Sequence, residues 1–121
     1  MASVLVWLEA IAGIHALYDA ITTGVDYAMA FERRRRDPQM LAEAERAQIQ
    51  FSTYSDEEIK EISRRIEGCR KRFIEQGSGK DRSRCLCSVL NEIRDGNGGA
   101  LPPIDNWPDM YDQLRCNAPT R

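Results

Sequence analysis

The chain has 121 residues, of which 42% are hydrophobic and 30% charged, and its formal net charge is −2. This length suits one domain with its own hydrophobic core and is short for two. The near-neutral charge argues against binding driven by the phosphates of a nucleic acid, so we predict no nucleic-acid partner.

Residues 3–35 are the most apolar part of the chain and predict one long N-terminal helix. Apolar side chains recur there every three or four residues and form one stripe. The stripe comprises Trp7, Ile11, Ile14, Tyr18, Ile21, Val25 and Ala28. His15, Asp19 and Asp26 follow one flank at helical spacing, and we expect them to form an exposed second contact row for a partner. A hydrogen bond from His15 to Asp19 is expected within this row.

The same helix is long enough to cross a membrane, since about 20 residues span a bilayer. Glu9, Asp19 and Asp26 lie within it, however, and an acidic residue at mid-bilayer costs roughly 3 kcal/mol. Met1-Ala2-Ser3 lacks the basic side chain that begins a secretory signal. The sequence therefore predicts a buried helix of a cytoplasmic protein with no membrane span. The closing run Arg33-Arg34-Arg35-Arg36 is interpreted as a solvated helix end.

Helix-start signals recur farther along the chain. Asp37 precedes Pro38 as an N-cap does, and Ser55 with Glu58 forms a capping box. Further helices are predicted over residues 38–51, 55–76, 82–95 and 106–115. Glycine and proline between the last two predict a loop. We therefore expect a single all-α domain over residues 1–121, a bundle of four to five helices with a loop-rich C-terminal segment.

The four cysteines are Cys69, Cys85, Cys87 and Cys116. Without an export signal, buried free thiols are the expected state. A zinc site formed by all four thiolates is one alternative, and a disulfide from Cys116 to Cys85 or Cys87 is another. We predict no metal and no cofactor.

The sequence predicts a binding protein and not an enzyme. His15 is the sole histidine, which excludes two-histidine acid–base or zinc-protease arrangements. The C-terminal part instead combines aromatic and acidic residues, as protein interfaces do. The predicted partner-binding residues are Glu92, Asp95, Asp105, Trp107, Asp109, Tyr111 and Asp112. Trp107 and Tyr111 would equally suit docking of the last helix on the bundle.

This part of the chain resembles the immunity proteins that neutralise toxins of interbacterial competition, especially type VI secretion effectors. The segments that carry the resemblance are Cys85-Leu-Cys-Ser-Val-Leu-Asn91, Asp95-Gly-Asn-Gly-Gly99, Ile104-Asp-Asn-Trp107 and Tyr111-Asp-Gln-Leu-Arg-Cys116. The resemblance implies a cytoplasmic antitoxin that binds a cognate toxin, such as a nuclease, and occludes its active site or substrate groove.

Two other functions fit the sequence. A secretion adaptor or chaperone would hold an effector on the apolar N-terminal helix. A zinc-stabilised regulatory domain would use the four cysteines. Homo-oligomerisation is left open by the sequence.

Overall fold

A computed structural model of the chain describes residues 3–76, 79–96 and 107–116, with side chains over 3–71, 83–95 and 107–116. The described residues form six α-helices and no strand, which confirms the predicted all-α bundle. The helices are α1 (Val4–Thr23), α2 (Tyr27–Arg35), α3 (Pro38–Gln50), α4 (Asp56–Gln76), α5 (Gly79–Gly96) and α6 (Trp107–Gln113). Most of the predicted C-terminal loop lies outside the described residues.

The prediction of one helix over residues 3–35 is wrong, because the chain breaks between α1 and α2. Gly24 caps α1 in the left-handed conformation with a φ of 73°, and its N–H donates to the Ala20 carbonyl at 3.1 Å. Asp26 then starts α2 by accepting from the Met29 N–H at 3.1 Å. The break redirects the chain, so the apolar stripe ends there and Val25 is 43% exposed.

Helices α3 and α4 begin with the signals that the sequence predicts, whereas α5 begins at Gly79, three residues before its predicted start. The Asp37 carboxylate accepts from the Gln39 N–H at 2.9 Å, with Pro38 in the first turn. The Ser55 hydroxyl accepts from the Glu58 N–H at 3.2 Å, while the Glu58 carboxylate accepts from the Ser55 N–H at 3.2 Å. This reciprocal pair is the predicted capping box of α4.

Helix α1 lies at the centre of the bundle and packs against α2, α3, α4 and α5. Gly13 permits close approach to α4, since a Cβ at this position would lie 3.3 Å from the Ile66 Cγ2 atom. The length and composition of α1 would also suit a membrane-crossing helix, yet 56% of its apolar window is buried inside the fold. Packing in the protein core thus accounts for much of its apolar character.

An aromatic cluster closes one end of the bundle. The ring of Trp7 lies 5.3 Å from that of Phe51 and 6.1 Å from that of Tyr54, measured between centroids. At the same end, the Ser3 N–H donates to the Asp56 carboxylate at 2.7 Å, which links the starts of α1 and α4. These contacts join the start of α1 to the segment between α3 and α4 and to the start of α4.

Candidate functional site

The cysteines form two disulfides that tie the C-terminal helices together. Cys69 of α4 bonds to Cys85 of α5, and Cys87 of α5 bonds to Cys116, which follows α6. The prediction of free thiols is therefore wrong, whereas the alternative bridge from Cys116 to Cys87 is confirmed. Residues two apart on a helix project about 200° from each other, so Cys85 and Cys87 face different neighbours. No thiolate is left among the four for the alternative zinc site.

Helix α6 is seated by apolar side chains. Trp107 is 1% exposed and Tyr111 7% exposed, and Met110 and Leu114 are buried beside them. Trp107 and Tyr111 therefore dock the helix on the bundle, as one of their two predicted roles requires. Their burial removes them as anchors that a partner could contact directly.

A polar junction joins α6 to α5. The Tyr111 hydroxyl donates to the Asn91 side-chain oxygen and accepts from the Arg94 guanidinium at 2.7 Å. The same guanidinium lies 5.6 Å from the centre of the Tyr111 ring. Sequence reasoning missed Asn91 and Arg94, because their spacing on α5 gives no sign of a hydroxyl that arrives from α6.

The end of α6 places Cys116 for its bridge. The Cys116 N–H donates to the Tyr111 carbonyl and the Arg115 N–H to the Asp112 carbonyl, both at 3.0 Å. Arg115 has a φ of 56°, so these bonds form a Schellman motif with arginine at the left-handed position. The turn reverses the chain directly before the cysteine and fixes its direction.

The predicted acidic residues differ in what surrounds them. Glu92 forms an ion pair with Arg65 of α4, and Asp95 lies 3.3 Å from the Arg94 guanidinium. Asp109 and Asp112 are exposed on α6 and form no ion pair with the described residues. We give the name acidic edge to three exposed aspartates of α5 and α6, which are Asp95, Asp109 and Asp112. Asp105 lies outside the described residues.

The negative charge of Asp109 affects the pKa of a tyrosine on α1. The pKa of Tyr18 on α1 is raised, first by burial and then by the negative charges of Asp109 and Asp19. Asp109 is thus the residue of the acidic edge whose charge acts on Tyr18 of α1.

The predicted second contact row is structural. His15 is 1% exposed, and its Nε2 lies 3.2 Å from the Glu43 Oε2 of α3, so the expected bond to Asp19 is wrong. Asp19 instead accepts from the Arg34 Nε and Nη2 at 2.9 and 3.0 Å. Asp26, although exposed, serves as the N-cap of α2. These residues join α1, α2 and α3, and they do not present a common surface to a partner.

A groove of about 390 Å³ runs between the α4 and α5 helices. Its walls carry both signs of charge, contributed by Glu57, Glu58, Glu61, Arg64, Arg65 and Glu92. Several of these charges pair with each other: the Arg64 guanidinium lies 2.9 Å from Glu61, and Arg65 contacts Glu92. Two of the four carboxylates in the groove, Glu61 and Glu92, are thus paired with its guanidinium groups, whereas Asp109 and Asp112 of α6 form no ion pair with the described residues.

Comparisons with models of protein families, with curated proteins and with solved structures find no match.

Proposed function

We propose that this protein is an immunity protein, which binds a cognate bacterial toxin through the acidic edge and occludes the toxin's active site or substrate groove. The observation that carries the proposal is the pair Asp109 and Asp112, two exposed carboxylates without ion-pair partners in the described residues. Exposed charges of one sign steer an oppositely charged partner and increase its association rate.

The mounting of α6 supports this role. A disulfide, four buried side chains and the Tyr111 hydroxyl fix the helix before any partner arrives. A preformed surface loses little conformational entropy on binding, so more of the contact energy appears as affinity. Such a surface suits an inhibitor that must capture a toxin rapidly and hold it.

The disulfides bear on where the protein acts. Structural disulfides persist in oxidising compartments and are rare in the cytosol. The sequence predicts a cytoplasmic location and free thiols, and the two disulfides do not suit that compartment. We therefore place the proposed complex in an oxidising compartment, with a toxin that is active there. A nuclease that must reach cytoplasmic nucleic acid fits this location less well.

The groups that the two alternative functions require are not available in this fold. An adaptor that holds an effector on the N-terminal helix would use the apolar face of α1, and this face is buried against the bundle. A zinc-stabilised domain would need thiolates that the disulfides consume.

Charge reversal tests the binding surface. The double variant Asp109→Lys/Asp112→Lys should weaken binding to the toxin encoded beside this gene by on the order of tenfold or more, mainly through slower association. The matched control is Glu9→Lys/Glu45→Lys, which alters the net charge equally at two exposed residues on α1 and α3. The measurement is association kinetics at two salt concentrations.

Equal loss of binding in both double variants would reduce the effect to net charge and contradict the acidic edge. Binding that is unchanged by the α6 reversal would also contradict it. Protection from the toxin in growing cells, with both proteins exported, provides the second readout. If the exported protein binds the toxin but gives no protection, the inhibitory function is wrong.

A further inference from the structure

Helix α6 is too short to stand alone. It has seven residues, whereas isolated helices in water need roughly 12 or more to be even marginally stable. Its order therefore comes from its attachment to the bundle. That attachment consists of the buried side chains, the Tyr111 junction and the Cys87–Cys116 bridge, which closes a sequence separation of 29 residues.

The two disulfides have different structural roles because they join different elements of the fold. Cys69–Cys85 connects α4 and α5, two long helices that also pack directly against each other. Cys87–Cys116 connects α5 to the turn that ends α6. Without its bridge the α4–α5 pair keeps the packing of two long helices, while the seven-residue α6 is held only by the non-covalent contacts of four buried side chains and the Tyr111 junction.

We propose that the Cys87–Cys116 disulfide is a redox-sensitive strap: reduction releases α6 from the bundle and separates Asp109 and Asp112 from the rest of the acidic edge. The consequence that only the oxidised protein binds the toxin rests on the proposed function. The release itself is a property of the fold. The bias toward the docked helix that a loop closure of this span provides is on the order of a hundredfold or more.

The chemistry of release is a thiol–disulfide exchange with a dithiol reductant. One reductant thiolate attacks a sulfur of the bridge and forms a mixed disulfide, and the second thiol resolves it. Two electrons and two protons pass to the protein, which then carries the Cys87 and Cys116 thiols, while the reductant becomes a disulfide. Cys116 is partly buried and Cys87 is 9% exposed, so we expect the reductant to attack the bridge from the Cys116 side.

Hydrogen exchange of the full chain, with and without dithiothreitol, tests the strap. In the oxidised protein, the amides of α6 should be protected together with those of the bundle. After reduction, protection in α6 should fall on the order of a hundredfold or more, while α1 keeps its protection. A Trp7→Phe variant, in which Trp107 is the sole tryptophan, should show a red-shifted emission on reduction as Trp107 enters water.

Paired serine variants assign the effect to one bridge. Cys87→Ser/Cys116→Ser should lose protection in α6 without added reductant, and Cys69→Ser/Cys85→Ser should retain it. The strap is wrong if the first variant keeps α6 protected, if both variants expose α6 equally, or if either reduction or the first variant unfolds the whole bundle. None of these measurements needs the toxin. Release of α6 with no toxin binding by the oxidised protein would therefore overturn the proposed function and leave the strap standing.

Discussion

At the residue scale, a single arginine of α2 links this helix to α1. The Arg34 guanidinium forms two hydrogen bonds to Asp19, and side chains of both residues are largely shielded, at 28% and 23% exposed. The pKa of Arg34 is raised, chiefly by the hydrogen bond with Asp19, with further contributions from Asp37 and Glu43. The Arg34 guanidinium thus joins α2 to Asp19 of α1, and its removal would leave the Asp19 carboxylate without these two hydrogen bonds.

Arg34→Ala should lower the free energy of unfolding by about 2 kcal/mol, because it removes two charge-assisted bonds and leaves Asp19 half-buried and unpaired. The control is Arg36→Ala, since that side chain is 79% exposed and its contact with Glu32 is 3.8 Å. The control should stay within about 0.5 kcal/mol of the wild type. Urea denaturation measures both, and equal effects would show that the Asp19 pair contributes no more than a surface contact.

Ionisation of Tyr27 makes the stability of the fold depend on pH in the alkaline range. Burial raises its pKa from 10.0 to about 12; the charge of Glu67 adds to the rise and that of Arg70 opposes it. Between these two values the folded chain keeps a proton that the unfolded chain releases, so stability falls as pH rises through this window. Tyr27→Phe should flatten that part of the curve of unfolding free energy against pH. A wild-type curve that is already level there would contradict the assignment.

At the scale of secondary-structure elements, the break between α1 and α2 is the main difference from the sequence prediction. Gly24 and Asp26 carry the ordinary stop and start signals, but a continuing apolar stripe hides them. The periodic pattern holds through Ile14, which is buried, and fails at Val25, which is exposed. The conflict arises because hydrophobic periodicity identifies the apolar face of a helix but does not show whether the helix axis continues in the same direction.

Substitutions at two glycines with different backbone conformations test whether Gly24 ends α1 for a local conformational reason. Gly24→Ala should destabilise the protein by about 1 kcal/mol, because the left-handed φ of 73° strains any Cβ. Gly68→Ala should stabilise it by about 0.5–1 kcal/mol, because alanine suits the middle of α4 and nothing lies within 4 Å of the added Cβ. Thermal unfolding of both variants gives the signs. The same sign in both would contradict a local conformational cause.

The sequence predicts what is local and misses what is distant. The capping box of Ser55 and Glu58 depends on four consecutive residues, and both of its hydrogen bonds form. The partner of His15 lies 28 residues away on α3, where only the packing of helices brings it. The Cys69–Cys85 bridge was missed for a different reason. Its cysteines fit the apolar seams of α4 and α5, and apolar spacing does not distinguish a core thiol from half of a disulfide.

At the scale of the whole molecule, the N-terminal half is held by packing and the C-terminal half by packing plus covalent bonds. All four cysteines lie between residues 69 and 116. The two bridges close sequence separations of 16 and 29 residues, so each should contribute about 3–4 kcal/mol through the entropy of the unfolded chain. Chemical denaturation of the two paired serine variants measures each contribution. A cost below about 1 kcal/mol for both would show that packing alone holds this half.

The position of Cys85 and Cys87 on one helix also chooses the pairing during oxidation. Four cysteines permit three pairings. Once α5 has formed, Cys85 and Cys87 project from different sides of the helix, Cys85 toward Cys69 and Cys87 toward Cys116. A bridge with the partners exchanged would have to reach around the helix. Oxidation should therefore follow folding and require little reshuffling. Refolding of the reduced chain in a glutathione buffer should give mainly the native pairing, as read by peptide mapping, whereas oxidation in denaturant should scramble it.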